Sequence, residues 1–262
     1  MPVVRFSDLG IESSLVGCLA DQGITEPFEV QIEAIPSAME GRDICCRAPT
    51  GSGKTLAFGL PLISRTGPAK PKKPTALILT PTRELAEQIR SVLDPLAWES
   101  KMKVLSVYGG TSYGKQLRGL EKGAEILVAC PGRLLDLLKR KALSLEDVGI
   151  VVLDEADRMA DMGFMEPVCK IIDQCISEPQ MILFSATLDH EVSKLVKSYQ
   201  NDPVRIEVGP KEISMDSMEH LFWNIKPYKK TEIAVKSVRR AGRSIIFLSL
   251  IHISEPTRPR SI

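Results

Sequence analysis

Apolar residues in this chain arrive in short bursts, at 43–48, 76–80, 103–108, 125–129, 149–153, 181–184 and 204–208, separated by longer charged or amphipathic stretches. Each burst has the length of a strand. The run Ile150-Val151-Val152-Leu153 offers no polar position to either face, which suits a central strand of a parallel sheet covered by helices on both sides. Between the bursts the period changes. In 83–97, for example, Leu85, Ile89, Val92 and Leu96 recur at helical spacing, and 189–199 behaves in the same way. The alternation predicts an α/β fold, with a parallel sheet and crossover helices on both faces. Residues 66–74, rich in proline and lysine, predict an exposed loop. In open sheets of this kind ligands bind beyond the carboxyl ends of the strands, so the residues just after each burst are where chemistry is expected.

Composition narrows the classes. With 262 residues and 44% apolar content the chain can bury a sizeable core. Its 34 basic and 33 acidic residues leave a net charge of +1, so any attraction for nucleic acid must come from a local patch. No apolar run approaches the ~20 residues of a membrane helix. The opening Met1-Pro2-Val3-Val4-Arg5 has no charged-then-apolar signal pattern. The expectation is a soluble, cytoplasmic protein with no membrane contact. Six cysteines, at 18, 45, 46, 130, 169 and 175, show no C-x-x-C spacing and are accompanied by only three histidines, which argues against structural zinc. Cys45 and Cys46, inside an apolar run, read as reduced core thiols.

Three segments carry the chemistry. After the first burst comes Ala48-Pro49-Thr50-Gly51-Ser52-Gly53-Lys54-Thr55, a phosphate-binding loop with alanine in place of its usual first glycine. Gly51 and Gly53 let backbone N–H groups turn toward phosphate oxygens at a helix N-terminus, Lys54 faces the β and γ phosphates, and Thr55 holds Mg2+. After 149–153 stands Asp154-Glu155-Ala156-Asp157. Asp154 is the second magnesium residue, through water, and Glu155 orients or deprotonates the attacking water. After 181–184, Ser185-Ala186-Thr187 brings two hydroxyls to the same edge. Each signal alone has a bland reading, as a turn, a solvated helix start or a helix cap. Their order along one chain makes them specific.

Together these residues resemble motifs I, II and III of the DEAD-box RNA helicases, whose other motifs also lie in the expected order. Gly23 to Gln31 resembles the Q motif, with Phe6 as its upstream aromatic. The resemblance implies that Gln31 reads adenine through its amide and that Phe6 belongs to the ATP site. Pro81-Thr82-Arg83, Gly109-Gly110 and Pro131-Gly132-Arg133 resemble motif Ia, the GG motif and motif Ib. These imply a grip on the RNA backbone, and Asp157, Ser185 and Thr187 imply coupling of hydrolysis to RNA. Two positions depart from the pattern. Ile24 replaces an aromatic of the Q motif, which puts adenine stacking in question, and Cys130 replaces the threonine of motif Ib, which removes a hydroxyl from the RNA side. The implied fold is a RecA-like P-loop NTPase domain that uses ATP and Mg2+, binds RNA and acts as a monomer. The short segment ahead of the Q motif fits a bacterial member.

The resemblance covers about residues 4–248. It implies an ATP-binding domain over 1–210, a linker over 211–218, and the opening of a second RecA-like domain over 219–248, whose first strand is 244–248. Counterparts of motifs V and VI, and the arginine fingers of that domain, are not found in the sequence. Residues 249–262 break the pattern and resemble translated read-through of a sequencing adapter; a natural divergent tail is the alternative. Three functions are therefore weighed. They are an RNA helicase in the intact parent, a nucleotide- and RNA-binding module without unwinding in the chain as written, and, disfavoured by the Q motif with its DEAD tetrad, a DNA helicase or other P-loop ATPase.

Overall fold

In a computed structural model, residues 4–209 and 223–241 are described. The chain divides into two units, Met1–Lys211 and Glu212–Ile262. The first is built on a seven-stranded parallel sheet. Its strands are β1 (Ile44–Arg47), β2 (Ala76–Leu79), β3 (Val104–Val107), β4 (Ile126–Ala129), β5 (Ile150–Asp154), β6 (Gln180–Ser185) and β7 (Val204–Glu207). Spatial order is β3-β4-β2-β5-β6-β1-β7. All seven apolar bursts are strands.

Strand residues alternate between two cores because successive side chains leave a strand on opposite faces. Cys46, Ile78, Val128, Val152 and Phe184 point into one cluster, while Cys45, Leu79, Ala129, Val151 and Leu183 point into the other. The first face is covered by α1 (Ser13–Asp21), α2 (Glu29–Met39), α3 (Lys54–Arg65) and α4 (Arg83–Glu99). The second is covered by α5 (Tyr113–Lys122), α6 (Pro131–Lys139), α7 (Ala156–Asp161), α8 (Met165–Ile172) and α9 (His190–Tyr199). The helices expected at 83–97 and 189–199 are α4 and α9. Cys45 and Cys46 are both buried, one in each core, and all six cysteines are free. Residues 66–74 form the expected connection, mostly exposed, though Thr66 and Pro74 at its ends are buried.

In the second unit the described residues hold a 3-10 turn at Pro227–Lys229 and α10 (Lys230–Ala241), a helix with a Glu232–Lys236 ion pair one turn apart. The expected linker at 211–218, the strand at 244–248 and the tail at 249–262 lie outside the described residues. Among the described residues no helix is long and apolar enough to cross a membrane.

Candidate active site

Sheet order gathers the three chemical segments. β5, β6 and β1 are neighbours, with Arg47 beside Ser185 and Asp154 beside Phe184. The loops that follow these strands therefore share one stretch of the carboxyl edge, next to the point where the chain order reverses. Ala48 N donates to the Ser185 carbonyl at 3.0 Å, tying the start of the phosphate loop to the strand of the third motif.

Within that loop Gly51 and Gly53 have φ of 82° and 91°, values that glycine adopts without steric cost. Lys54 opens α3, is buried, and donates from Nζ to the Ala48 carbonyl at 3.3 Å. Two of its three N–H bonds remain for an anion. Asp154 is 3% exposed. Burial pushes its carboxyl up to about 6, against the opposing pull of the Lys54 ammonium. Glu155 sits in the left-handed region, φ 54° and ψ 52°, as the N-cap of α7, and its Oε2 accepts from Arg158 Nη1 at 3.1 Å. A non-glycine residue held there stores about 1–2 kcal/mol of backbone strain, a feature that recurs at functional sites.

The second and third motifs are joined by three hydrogen bonds. Asp157 N donates to Ser185 Oγ at 3.0 Å, while Thr187 N and Oγ1 donate to Asp157 Oδ2 at 2.9 and 3.1 Å. A shift of one segment must be felt by the other.

Gln31 is 2% exposed and bridges two segments: its Oε1 accepts from Phe28 N and its Nε2 donates to the Gly53 carbonyl, both at 2.9 Å. Phe6 is 1% exposed, inside the first core cluster, and shows no ring face to solvent. Ile24 packs against that same cluster, so its substitution falls on the core rather than on a base-stacking surface.

The remaining candidates occupy the other half of the edge, after β2, β3 and β4. Thr82 caps α4, its Oγ1 accepting from Leu85 N at 3.3 Å, and Pro81 is buried behind it. Arg83 is exposed and paired with Glu84 at 2.6 Å. A methyl group placed on Gly110, where φ is 79°, would lie 3.8 Å from Arg83 Nη1, so the glycine pair and Arg83 are neighbours. Pro131 begins α6 and Gly132 is exposed at its mouth. Cys130 is the N-cap without a side-chain cap bond, its thiol pushed up to about 11 by burial. Arg133 lies over the Tyr113 ring, 5.5 Å from its centroid, and donates from Nη1 to Gln116 Oε1 at 3.1 Å.

Gln116 and Arg158 are contributors that the sequence reading missed. Gln116 is buried, and its Nε2 reaches the Tyr108 carbonyl at 2.9 Å and Thr111 Oγ1 at 2.5 Å, binding the glycine-pair loop to Arg133. Its only signal in the sequence was a polar residue between apolar helix positions.

Compared with known proteins, residues 28–195 match the DEAD/DEAH box helicase family. The chain belongs to that family. A DEAD/DEAH box domain is in keeping with the edge described above, where the Asp154-Glu155-Ala156-Asp157 tetrad carries the buried carboxylate of Asp154. The chain is 41% identical over 220 residues to RNA helicase CrhR of Synechocystis sp., covering 84% of this chain and 44% of the relative. It is 36% identical over 244 residues to the DEAD-box ATP-dependent RNA helicase RhpA of Helicobacter pylori, covering 92% of this chain and 49% of the relative. The chain thus spans about half the length of the curated relatives it matches. Among solved structures, a DEAD box protein from Methanococcus jannaschii superposes with a TM-score of 0.74 at 32% identity, covering 90% of this chain and 63% of that one. RNA-helicase Prp28 from Chaetomium thermophilum, bound to ADP, gives 0.74 at 36% identity, covering 92% and 58%. The fold is that of DEAD-box RecA-like domains.

Proposed function

We propose that this chain is the ATP-binding part of an ATP-dependent RNA helicase, an enzyme whose RNA-stimulated hydrolysis of ATP is coupled to local opening of an RNA duplex. The observation that carries the reading is the gathering of Lys54, Asp154 and Glu155 at the ends of neighbouring strands and the loops that follow them, with Lys54 and Asp154 both buried. Backbone N–H groups of residues 50–54 and the two remaining Lys54 N–H bonds receive the phosphates. Asp154 and Thr55 offer hard oxygen donors, a set that fits Mg2+. The ion, when bound, neutralises charge on the β and γ phosphates. Glu155 keeps one carboxylate oxygen free of Arg158 to orient water and take its proton. Gln31 reads the adenine edge. Asp157, Ser185 and Thr187 carry the consequence of hydrolysis across the sheet edge.

RNA is received on the other half of the edge. Arg83 and Arg133 pair with phosphates, Gly109 and Gly110 admit the backbone closely, and the N-terminus of α6 favours an anion. The curated relatives being about twice as long, the whole protein is read as carrying a second RecA-like domain that supplies arginine fingers. On this reading residues 1–210 are the first domain, 211–218 a linker and 219–248 the opening of the second. We place the protein in the cytoplasm as a monomer, where six free thiols are at home.

A second reading rests on the same partial coverage: this chain by itself binds nucleotide and RNA without turnover. Steady-state ATP hydrolysis with and without single-stranded RNA, on the 262-residue chain and on the full-length gene product, tests both. The proposal expects RNA-stimulated turnover in the full-length protein only. Full-length turnover indifferent to RNA would refute the helicase reading, and stimulated turnover in the short chain would refute the need for a second domain.

A further inference from the structure

The opening of α2 breaks a local rule without a structural gain. Phe28 is its N-cap residue, with φ of −75° and ψ of 161°, and makes no side-chain cap bond. Serine, threonine, aspartate and asparagine are favoured there because a side-chain oxygen can accept an orphan N–H, which phenylalanine cannot. The ring is also 58% exposed, whereas Phe6, Phe58 and Phe184 are buried. A side chain that neither caps its helix nor enters the core is unexplained by stability, and such departures concentrate at functional sites.

The surroundings say what the ring is for. It lies on the phosphate loop: a methyl group on Gly53 would sit 2.6 Å from Phe28 Cδ2 and 2.6 Å from Gln31 Nε2. Gln31 beside it has used one acceptor position on Phe28 N and one donor on the Gly53 carbonyl. An amide has two N–H bonds and two lone pairs, so one of each remains. One donor and one acceptor side by side complement the N7 acceptor and N6 amino group of adenine. The open aromatic face next to that pair is Phe28, since Phe6 is sealed in the core.

We infer that Phe28 is a base-stacking residue of the ATP site, packing its exposed ring on the purine whose edge Gln31 reads. This rests on the ATP-binding reading above and assigns the stacking surface within it. It also gives Phe28 a second task, because its backbone N–H holds Gln31 in place whatever its side chain. Replacing the ring therefore removes stacking and leaves the Gln31 carbonyl anchored.

The test is calorimetric titration of the 262-residue chain with ATP and, separately, with tripolyphosphate, each with Mg2+. Thermal unfolding is followed in parallel. Phe28→Thr supplies a capping hydroxyl, so the melting temperature should hold or rise. Its ATP dissociation constant should rise about tenfold, in the range that stacking on an aromatic side chain contributes. Tripolyphosphate binding should stay within about twofold, since that ligand has no base to stack. Phe28→Trp should keep ATP affinity, and Phe28→Leu, apolar without a π face, should fall between. The inference is overturned if Phe28→Thr binds ATP like the wild type, or if it weakens ATP and tripolyphosphate alike. Wild-type chain that binds neither ligand would overturn the ATP-binding reading itself, whereas normal wild-type binding with an indifferent Phe28→Thr would sink only the stacking role.

Discussion

Replacing Ser185 with alanine should destabilise the domain and loosen the start of α7, where Glu155 is the N-cap, while leaving nucleotide binding intact. Ser185 Oγ accepts the N–H of Asp157, which lies in the first turn of α7. The four N-terminal N–H groups of a helix have no partner inside it, and α7 has no cap of its own because Glu155 makes no side-chain cap bond. Ser185 on β6 thus caps a helix that belongs to another segment. Loss of a cap costs about 0.5–2 kcal/mol, with water replacing the lost oxygen at exposed sites. Here Ser185 is fully buried, so the upper end applies, about 2 kcal/mol, as for a buried donor left unsatisfied. For a domain of this size that corresponds to a melting temperature lower by roughly 4–8 °C. Differential scanning calorimetry supplies the number, and titration with ATP and Mg2+ should give affinity within about twofold of wild type, because Lys54 and the glycine loop are untouched. In the full-length protein, turnover should become less dependent on RNA, since Asp157 is also the acceptor for Thr187. Asp157→Asn separates the two roles: it keeps the backbone donor to Ser185 but has a single acceptor oxygen where Oδ1 accepts from Arg158 N and Oδ2 from Thr187, so it tests the Thr187 link without touching the cap. A Ser185→Ala variant that melts within 1 °C of wild type would refute the cross-segment cap, the value being far below the shift expected for a cap.

Three further outcomes are expected. Lys54→Ala should abolish binding of ATP with Mg2+ in calorimetry, and unchanged affinity would remove residues 48–55 from the phosphate site. Glu155→Gln in the full-length protein should keep ATP and RNA bound while hydrolysis falls at least about 100-fold, because an amide cannot take the proton of water; near-normal phosphate release would assign that role elsewhere. Gln116→Leu should free Arg133 and the glycine-pair loop, weakening RNA binding and lowering by about one the slope of log affinity against log salt. Fluorescence anisotropy with a short RNA at several salt concentrations measures both, and an unchanged slope would show that Arg133 needs no such support.

The strands and the order of the motifs were legible because both are periodic or local signals. A burst such as Ile150 to Leu153 can be satisfied only by burial on both faces, and the structure places it at the centre of the sheet, fourth of seven strands, between β2 and β6. Boundaries were less legible. Asp154 and Ser185, expected just beyond their strands, are the last residues within them, since a hydrogen-bonded neighbour extends a strand past its apolar content. Burial of polar residues was not legible at all. Gln31 is buried through a contact distant in sequence, its Nε2 reaching the Gly53 carbonyl, whereas Gln116 is held by nearby Tyr108 and Thr111 in a loop conformation that no periodic signal predicts. For the same reason Phe6, which the resemblance assigned to the ATP site, lies in the core while the Phe28 ring is exposed: aromatic character is visible in a sequence, but which ring the core accepts is decided by packing.

Strand order has a consequence for how this protein comes into being on the ribosome. β1 carries the phosphate loop, yet its hydrogen-bonding partners are residues 182–185 of β6 and 204–207 of β7. β2, β3, β4 and β5, by contrast, pair among themselves. A growing chain can therefore knit the β2–β5 half of the sheet while β1 waits unpaired for strands not yet synthesised, and long-range closure of this kind is slow. The sheet edge that carries residues 48–55 is assembled last. A nascent chain stalled before β6 would present the exposed edge of β5 and the unpaired β1 to its surroundings, which makes residues 44–47 and 150–154 the stretches where a chaperone has the most to protect.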